Sequence, residues 1–301
     1  MNMDDKLLME NDMSRLDDFI LAIEKSLGCK DDDLKRIGKN ENRPYYKSES
    51  KHEEKLKAIY DAHHSSWKES KEFKNISSYN VLKINSISSS ARLCCLYFEN
   101  NNNVSFEKPV PNGTGKGDPA QFDAMCGDVY YECKCQEVVN GEKEKLPSSY
   151  ADLFNVYFGI NNMRINAYDN NKLSIHLKDI LIDYDEDYDR THFNVKQLFT
   201  HIFALIKQYP NHTKTLQYLI FCPSKNKILA SDTIKTIYKE LCSEIKAIWE
   251  SPLMEKVNNN WLNIPIPKFI SVDNFGEIKD MFKIVGVQLN EQGHQGGLYG
   301  F

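Results

Sequence analysis

The chain has 301 residues and a mass of 34.9 kDa, with 41% hydrophobic and 27% charged residues, a composition that excludes disordered and fibrous classes. Thirty-eight Lys and Arg against 43 Asp and Glu give a net charge of −5 and a pI near 5.9. A uniformly basic nucleic-acid coat is therefore excluded, a local basic cleft is not. No apolar run approaches the roughly 18 residues needed to span a bilayer, and the acidic start Met1 to Glu10 lacks the basic and apolar regions of a secretory leader. Eight cysteines are too sparse for a disulfide scaffold, so a soluble cytoplasmic protein with reduced thiols is expected.

Taken in chain order, Leu16, Phe19, Ile20, Ile23 and Leu27 recur at helical spacing and predict a helix over 14–28, capped by Ser14 and closed by Gly28. Residues 29–51 are polar, carry Pro44, and read as a loop or linker. A second helix is expected over 52–70 (Leu56, Ile59, Tyr60, His63, Trp67) and a third over 88–98. Beyond Asn103 the pattern turns strand-like: 104–110, 121–126 and 129–138 are expected strands. The last two are joined at Gly127-Asp128, a pair suited to a tight hairpin turn. Residues 147–160 read as helical and 173–184 as ambiguous. Val195, Leu198, Phe199, Ile202, Phe203 and Ile206 give a wide apolar helical face over 193–208. The nearly continuous apolar run 216–222 predicts a buried central strand, and 234–249 an amphipathic helix. The last fifty residues, with Pro265 and Pro267, show no clear organisation. The fold class expected is α/β, a mixed central sheet of about four or five strands flanked by helices. It is divided into an N-terminal extension (1–51), a core (52–250) and a C-terminal extension packed on the core (251–301).

The chemistry concentrates in 121–137. Strand alternation puts Glu132, Lys134 and Gln136 on one face with Tyr130, and Tyr131, Cys133 and Cys135 on the other, toward a core. Two ionisable residues and an amide on one face of an apolar strand are costly to bury without a purpose. With the turn at 127–128, Asp123 falls opposite Glu132, with Cβ atoms roughly 5 Å apart. Two such carboxylates repel unless something positive lies between them. A divalent cation answers this, and hard oxygen donors suit Mg²⁺. The bland alternative is an exposed Glu132–Lys134 ion pair on a half-solvated strand, with Asp123 a cross-strand partner for Lys134, which needs no function.

Asp123 and Glu132-Cys133-Lys134, on a hairpin of hydrophobic strands, resemble the active site of the PD-(D/E)xK nuclease superfamily, which includes many restriction endonucleases. The resemblance implies that Asp123 and Glu132 ligate Mg²⁺ (with Mn²⁺ as a substitute), with the carbonyl of Cys133 as a further ligand. It implies that Lys134 orients or activates the attacking water, and that Gln136 contacts the site or the substrate. The serine-rich helix entry 87–93, with Ser89, and the helix stretch 195–201, where Gln197 and His201 share a face, look similar to the restriction-endonuclease-like branch. The family's proline before the aspartate is replaced by Phe122, with Pro119 four residues ahead of Asp123. The implied activity is a Mg²⁺-dependent endonuclease in restriction or defence, acting on DNA or else RNA, with a homodimer suited to double-strand cutting. The competing expectation is a non-catalytic nucleic-acid- or protein-binding module on the same fold.

Other signals are weaker. Cys126, Cys133 and Cys135 match no zinc-knuckle spacing and read as buried hydrophobes. The aspartates of 183–189 lack the glycine and closing glutamate of a calcium loop. The 113–118 loop lacks the Gly-Lys-Ser/Thr ending of a phosphate loop and reads as a turn, or as a flap with Lys116 near phosphate. His63, His64 and His201 are candidate bases, and Glu53 or Glu54 a candidate extra metal carboxylate.

Overall fold

The computed structural model describes residues 3–27, 34–37, 45–48, 90–115, 117–139, 145–160, 165–168, 172–176, 192–211 and 214–290. The helix expected over 52–70, the acidic loop 183–189 and the candidates Glu53, Glu54, His63, His64, Ser89 and Lys116 lie outside the described residues.

The elements in chain order begin with helix α1 (Met3–Ser26), strands β1 (Leu34–Ile37) and β2 (Tyr45–Ser48), and helix α2 (Ser90–Tyr97). Strands β3 (Val104–Val110), β4 (Ala120–Cys126) and β5 (Val129–Lys134) follow, then a 3₁₀ turn at Gln136–Val138. Next come β6 (Lys145–Pro147), a 3₁₀ turn at Ser148–Tyr150, α3 (Ala151–Phe158), β7 (Ile165–Tyr168) and β8 (Lys172–His176). Helix α4 (Val195–Gln208), β9 (Lys214–Cys222), α5 (Lys225–Leu229) and α6 (Asp232–Trp249) continue the chain. Helix α7 (Pro252–Asn260), β10 (Leu262–Asn263), β11 (Lys268–Ser271) and α8 (Met281–Ile284) complete it.

The main sheet is open and mixed. Its strands run in the order β10-β9-β5-β4-β3, with β11 also on β9, giving six strands. β3, β4 and β5 form an antiparallel meander, whereas β5, β10 and β11 all run parallel to β9. β10 lies along the start of β9 and β11 along its end (Leu262 opposite Lys214, Lys268 opposite Leu219). β9 is thus flanked on both edges and buried from Leu216 to Cys222, which is why its sequence is almost continuously apolar. The sheet is wider than the four or five strands expected, because 262–271 contributes two strands too short to show any period in sequence.

Helices cover the sheet. α4 buries nine residues, and its first turn is closed by Asn194, whose side chain accepts from the Gln197 N–H at 2.7 Å. α6 and α7 are capped in the same way by Ser231 and Ser251. α1 lays Leu16, Phe19, Ile20 and Ile23 onto the core, with Phe19 against Tyr238 of α6 at 6.2 Å between ring centroids. The Ser224 N–H donates to Ser26 Oγ at 3.0 Å, fixing the end of α1.

The β4–β5 hairpin turns at Gly127-Asp128 as expected: Cys126 faces Val129, and Gly127 has φ +58°. The strand expected over 129–138 is shorter. It stops at Lys134, where Cys135 leaves extended geometry (ψ −94°), and the chain turns into the 3₁₀ segment.

Candidate active site at a fork in the sheet

β4 and β5 are hydrogen-bonded neighbours only near their turn. Their register runs from Cys126–Val129 to Ala124–Tyr131 and stops there. Beyond it, the first half of β4 continues to pair with β3 (Ala120 opposite Val110), while the second half of β5 pairs with β9 (Lys134 opposite Ile220). The sheet forks between Asp123 and Glu132. The two residues are therefore not a ladder pair, as the hairpin arithmetic would have it; they line the two arms of the fork.

A forked strand leaves backbone donors without a partner, and these must be satisfied from elsewhere. On β5 alternate residues point their amides to the same side, so Cys133 and Cys135 both present an N–H, about 7 Å apart, toward the fork. The Cys133 N–H donates to Asp123 Oδ2 at 2.6 Å, and the Cys135 N–H to Glu137 Oε2 at 2.8 Å. Carboxylates stand in for the carbonyls that β4 no longer supplies. The second oxygen of Glu137 accepts from Ser90 Oγ at 2.8 Å, at the start of α2.

Between these two carboxylates lies Lys134, whose Nζ donates to Glu132 Oε1 at 2.6 Å. The same oxygen accepts from Gln197 Nε2 of α4 at 2.7 Å. The pair is not on a half-solvated surface: the side chains are 12% and 3% exposed. Burial raises the pKa of Glu132, with the charge and hydrogen bond of Lys134 opposing the rise. Burial by itself would lower the pKa of Lys134, but the charges of Glu132, Glu137 and Asp123 hold it above its ordinary value. Lys134 is thus a firmly protonated ammonium facing three carboxylates.

His201 sits one turn beyond Gln197, fully buried, its ring 4.3 Å from that of Phe122. Burial first, and then the Lys134 charge, push its pKa down to about 3, against a hydrogen bond to the Gln121 backbone. The neutral ring spends its N–H on that carbonyl. Nδ1, which has no hydrogen-bond partner, is then a bare acceptor. It faces Glu132 Oε2, also buried and without a hydrogen-bond partner, at 3.7 Å. Two acceptors facing each other inside a protein call for a donor or a cation beside them.

Of the residues singled out in sequence, the fold thus gathers Asp123, Glu132, Lys134, Gln197 and His201, with Cys133 between the carboxylates. The Cys133 thiol is buried against Cys94, and only its backbone faces the fork. Gln136 is displaced: past the end of β5, strand alternation no longer places it on the face of Glu132 and Lys134, and it lies half-buried in the 3₁₀ turn. Glu137 was missed, because an extended strand would have pointed it to the opposite face.

A hard divalent cation fits this donor set in one respect and not in another. Glu132 Oε2 is a buried carboxylate oxygen without a hydrogen-bond partner, facing His201 Nδ1. Among the described residues, however, no three His, Cys, Asp or Glu side chains are gathered closely enough to hold an ion unaided. A cation held here would complete its shell with water or substrate oxygens, as Mg²⁺ commonly does. No helix among the described residues is long and apolar enough to cross a membrane. Comparison with protein-family models, with curated proteins and with solved structures finds no match to this chain.

Proposed function

We propose that the chain is a Mg²⁺-dependent endonuclease that hydrolyses DNA phosphodiester bonds by direct attack of water. The observation that carries the reading is the buried, protonated Lys134 set among Asp123, Glu132 and Glu137 at a fork in the sheet. The order of helix, three antiparallel strands, helix and parallel strand around it supports the same reading. A bound cation would supply Lewis-acid polarisation of the phosphate and a more acidic water.

The protein's own residues divide the remaining work. Asp123 and Glu132 hold the cation, with the Cys133 carbonyl on the same edge as its N–H. Lys134, held protonated, does not act as the base; it aims its ammonium at the attacking water or at the charge developing on phosphate. Gln197 fixes Glu132 through Oε1, leaving Oε2 to ligate. His201, kept neutral, presents an acceptor toward Glu132 Oε2. A homodimer would bring two such sites to a duplex, and restriction or defence as the setting rests on the family resemblance alone.

One observation favours a second reading, a non-catalytic binding module on this fold: Lys134 already neutralises Glu132, closing the site without a metal. A ribonuclease would use the same residues. Incubation of supercoiled plasmid and of single-stranded RNA with wild type and Glu132→Gln, in Mg²⁺, Mn²⁺ or EDTA, separates these. The nuclease reading expects metal-dependent cutting of plasmid that the variant loses. Cutting of RNA alone reassigns the substrate, and no cutting by folded protein favours the binding module.

A further inference from the structure

Both ring nitrogens of His192 meet acceptors. Nδ1 lies 2.7 Å from the Val138 carbonyl, and Nε2 lies 3.0 Å from Glu240 Oε2 on α6. A carbonyl only accepts, so Nδ1 carries a proton. His192 first, and then Arg15 against the effect of burial, draw the pKa of Glu240 below its ordinary value, so this carboxylate is ionised and Nε2 carries a proton too. The geometry therefore calls for an imidazolium, on a side chain only 10% exposed. A neutral ring has one N–H, and whichever nitrogen gave up its proton would turn a lone pair toward an acceptor at hydrogen-bond distance.

Glu244, one turn further along α6, accepts the backbone N–H of His192 at 3.1 Å and that of Phe193 at 2.8 Å. Arg15 of α1 donates to the same Glu240 oxygen at 2.9 Å. His192 is thus faced by Glu240 and Glu244 from α6 and by the Val138 carbonyl, with Arg15 behind Glu240. Burial alone would push its pKa down, but the Glu240 bond, the Glu244 charge and the Val138 carbonyl raise it above the ordinary 6.5. Val138 ends the 3₁₀ turn that follows β5, and the same turn carries Glu137, which holds the Cys135 N–H next to Lys134. Helix α1 packs against that turn.

We propose that His192 is a proton-dependent clasp on the candidate site. As an imidazolium it ties the turn 136–138, and through it the end of β5 beside Lys134, to α6 and α1. When neutral it keeps Nε2–H on the charged carboxylate, the stronger of the two acceptors, and lets the Val138 carbonyl go. The turn then shifts with Glu137 and Cys135, so the end of β5 loosens as pH rises through the His192 midpoint. The device goes beyond the nuclease reading, since it needs neither metal nor substrate.

The test is ¹⁵N NMR of the full chain from about pH 5 to about pH 9. It reads the His192 ring nitrogens, the amide of Val139, which shares a peptide group with the Val138 carbonyl, and the amide of Cys135. In wild type both ring nitrogens should be protonated at about pH 6. The ring midpoint should lie above 6.5, and both amides should shift with that midpoint. Glu240→Gln keeps an acceptor oxygen for Nε2 and removes the charge, so the ring and amide midpoints should fall together, by about one unit or more. An unprotonated ring nitrogen at about pH 6 overturns the imidazolium and the clasp with it. Amides that do not follow the ring in wild type also overturn the clasp. So do amides that keep their midpoint in Glu240→Gln while that of the ring falls, an outcome that assigns their shift to Glu244, whose pKa is about 7. The wild-type titration decides the matter even if the variant does not fold.

Discussion

The backbone N–H of Cys133 donates to the side chain of Asp123 at 2.6 Å, across a sheet that has already parted. An aspartate that would have been an ordinary cross-strand neighbour replaces a missing ladder acceptor. This opens a polar wedge in the middle of an otherwise apolar sheet, and α4 roofs it with Gln197 and His201.

Removing the ammonium should be costly to the fold. Lys134→Ala leaves Glu132 without its counter-ion in an almost dry setting, so that it must stay charged there or take up a proton, and breaking a buried pair costs about 3 kcal/mol or more. With Lys134 gone, the folded-state pKa of Glu132 rises further above its unfolded value. The native state then holds a proton that the unfolded state has lost, so the variant's deficit grows as pH rises above about 4.5. Urea unfolding at about pH 5 and pH 8 checks this; an equal deficit at both would show that Glu132 is not ionised in the wild-type site.

His201 should not titrate in the neutral range. Its pKa near 3 predicts one neutral tautomer, N–H on Nε2, from about pH 5 to pH 8. Imidazole nitrogen NMR reads this directly. A His201 midpoint near the ordinary value of 6.5 would mean that the ring is solvated and does not face Glu132 as described.

A second buried cluster sets the pH profile of stability. Burial pushes Glu244 up to about 7, although it accepts the N–H groups of His192 and Phe193 at 3.1 and 2.8 Å. Between its ordinary value of 4.5 and about 7 the native state retains a proton that the unfolded chain has released, so stability falls as pH rises through that window. His192 works in the same direction. Burial opposes its charge, but Glu240 at 3.0 Å and Glu244 raise its pKa, and that stabilisation is lost as pH rises through the folded value. Wild type should therefore be less stable at about pH 8 than at pH 5, and Glu244→Gln should flatten the slope. An unchanged slope in the variant would assign the effect elsewhere.

Gly113 and Gly127 should respond differently to alanine. A Cβ on Gly113 would lie 2.5 Å from Phe203 Cβ and 3.0 Å from its backbone carbon, so α4 must move, at about 1–3 kcal/mol. A Cβ on Gly127 meets nothing within 4 Å, and only its positive φ resists, at about 1 kcal/mol. Thermal unfolding of the two variants should rank Gly113→Ala as the less stable. The reverse order would mean that Gly113 does not pack on α4.

The sequence carried the hairpin, because Gly127-Asp128 is a local signal, and it carried α4 and β9, whose apolar patterns are long. It carried Asp123, Glu132 and Lys134 as a group, and Gln197 and His201 as one helical face. The fork was not legible, since no local pattern marks where β4 stops pairing with β5, and the other edge of β5 is held throughout by β9, some 80 residues away in sequence. Gln136 was expected on the strand face of Glu132 and Lys134, and nothing local marks the break at Cys135 that ends the strand before it. The strands in 262–271 are two and four residues long and yield no period.

The most direct test of the account is plasmid cleavage by wild type and Lys134→Ala in Mg²⁺, with circular dichroism to show that both are folded. The account expects nicking or linearisation by wild type that EDTA abolishes and that the variant loses. Equal cutting by the two proteins, or none by folded wild type in either Mg²⁺ or Mn²⁺, would contradict it.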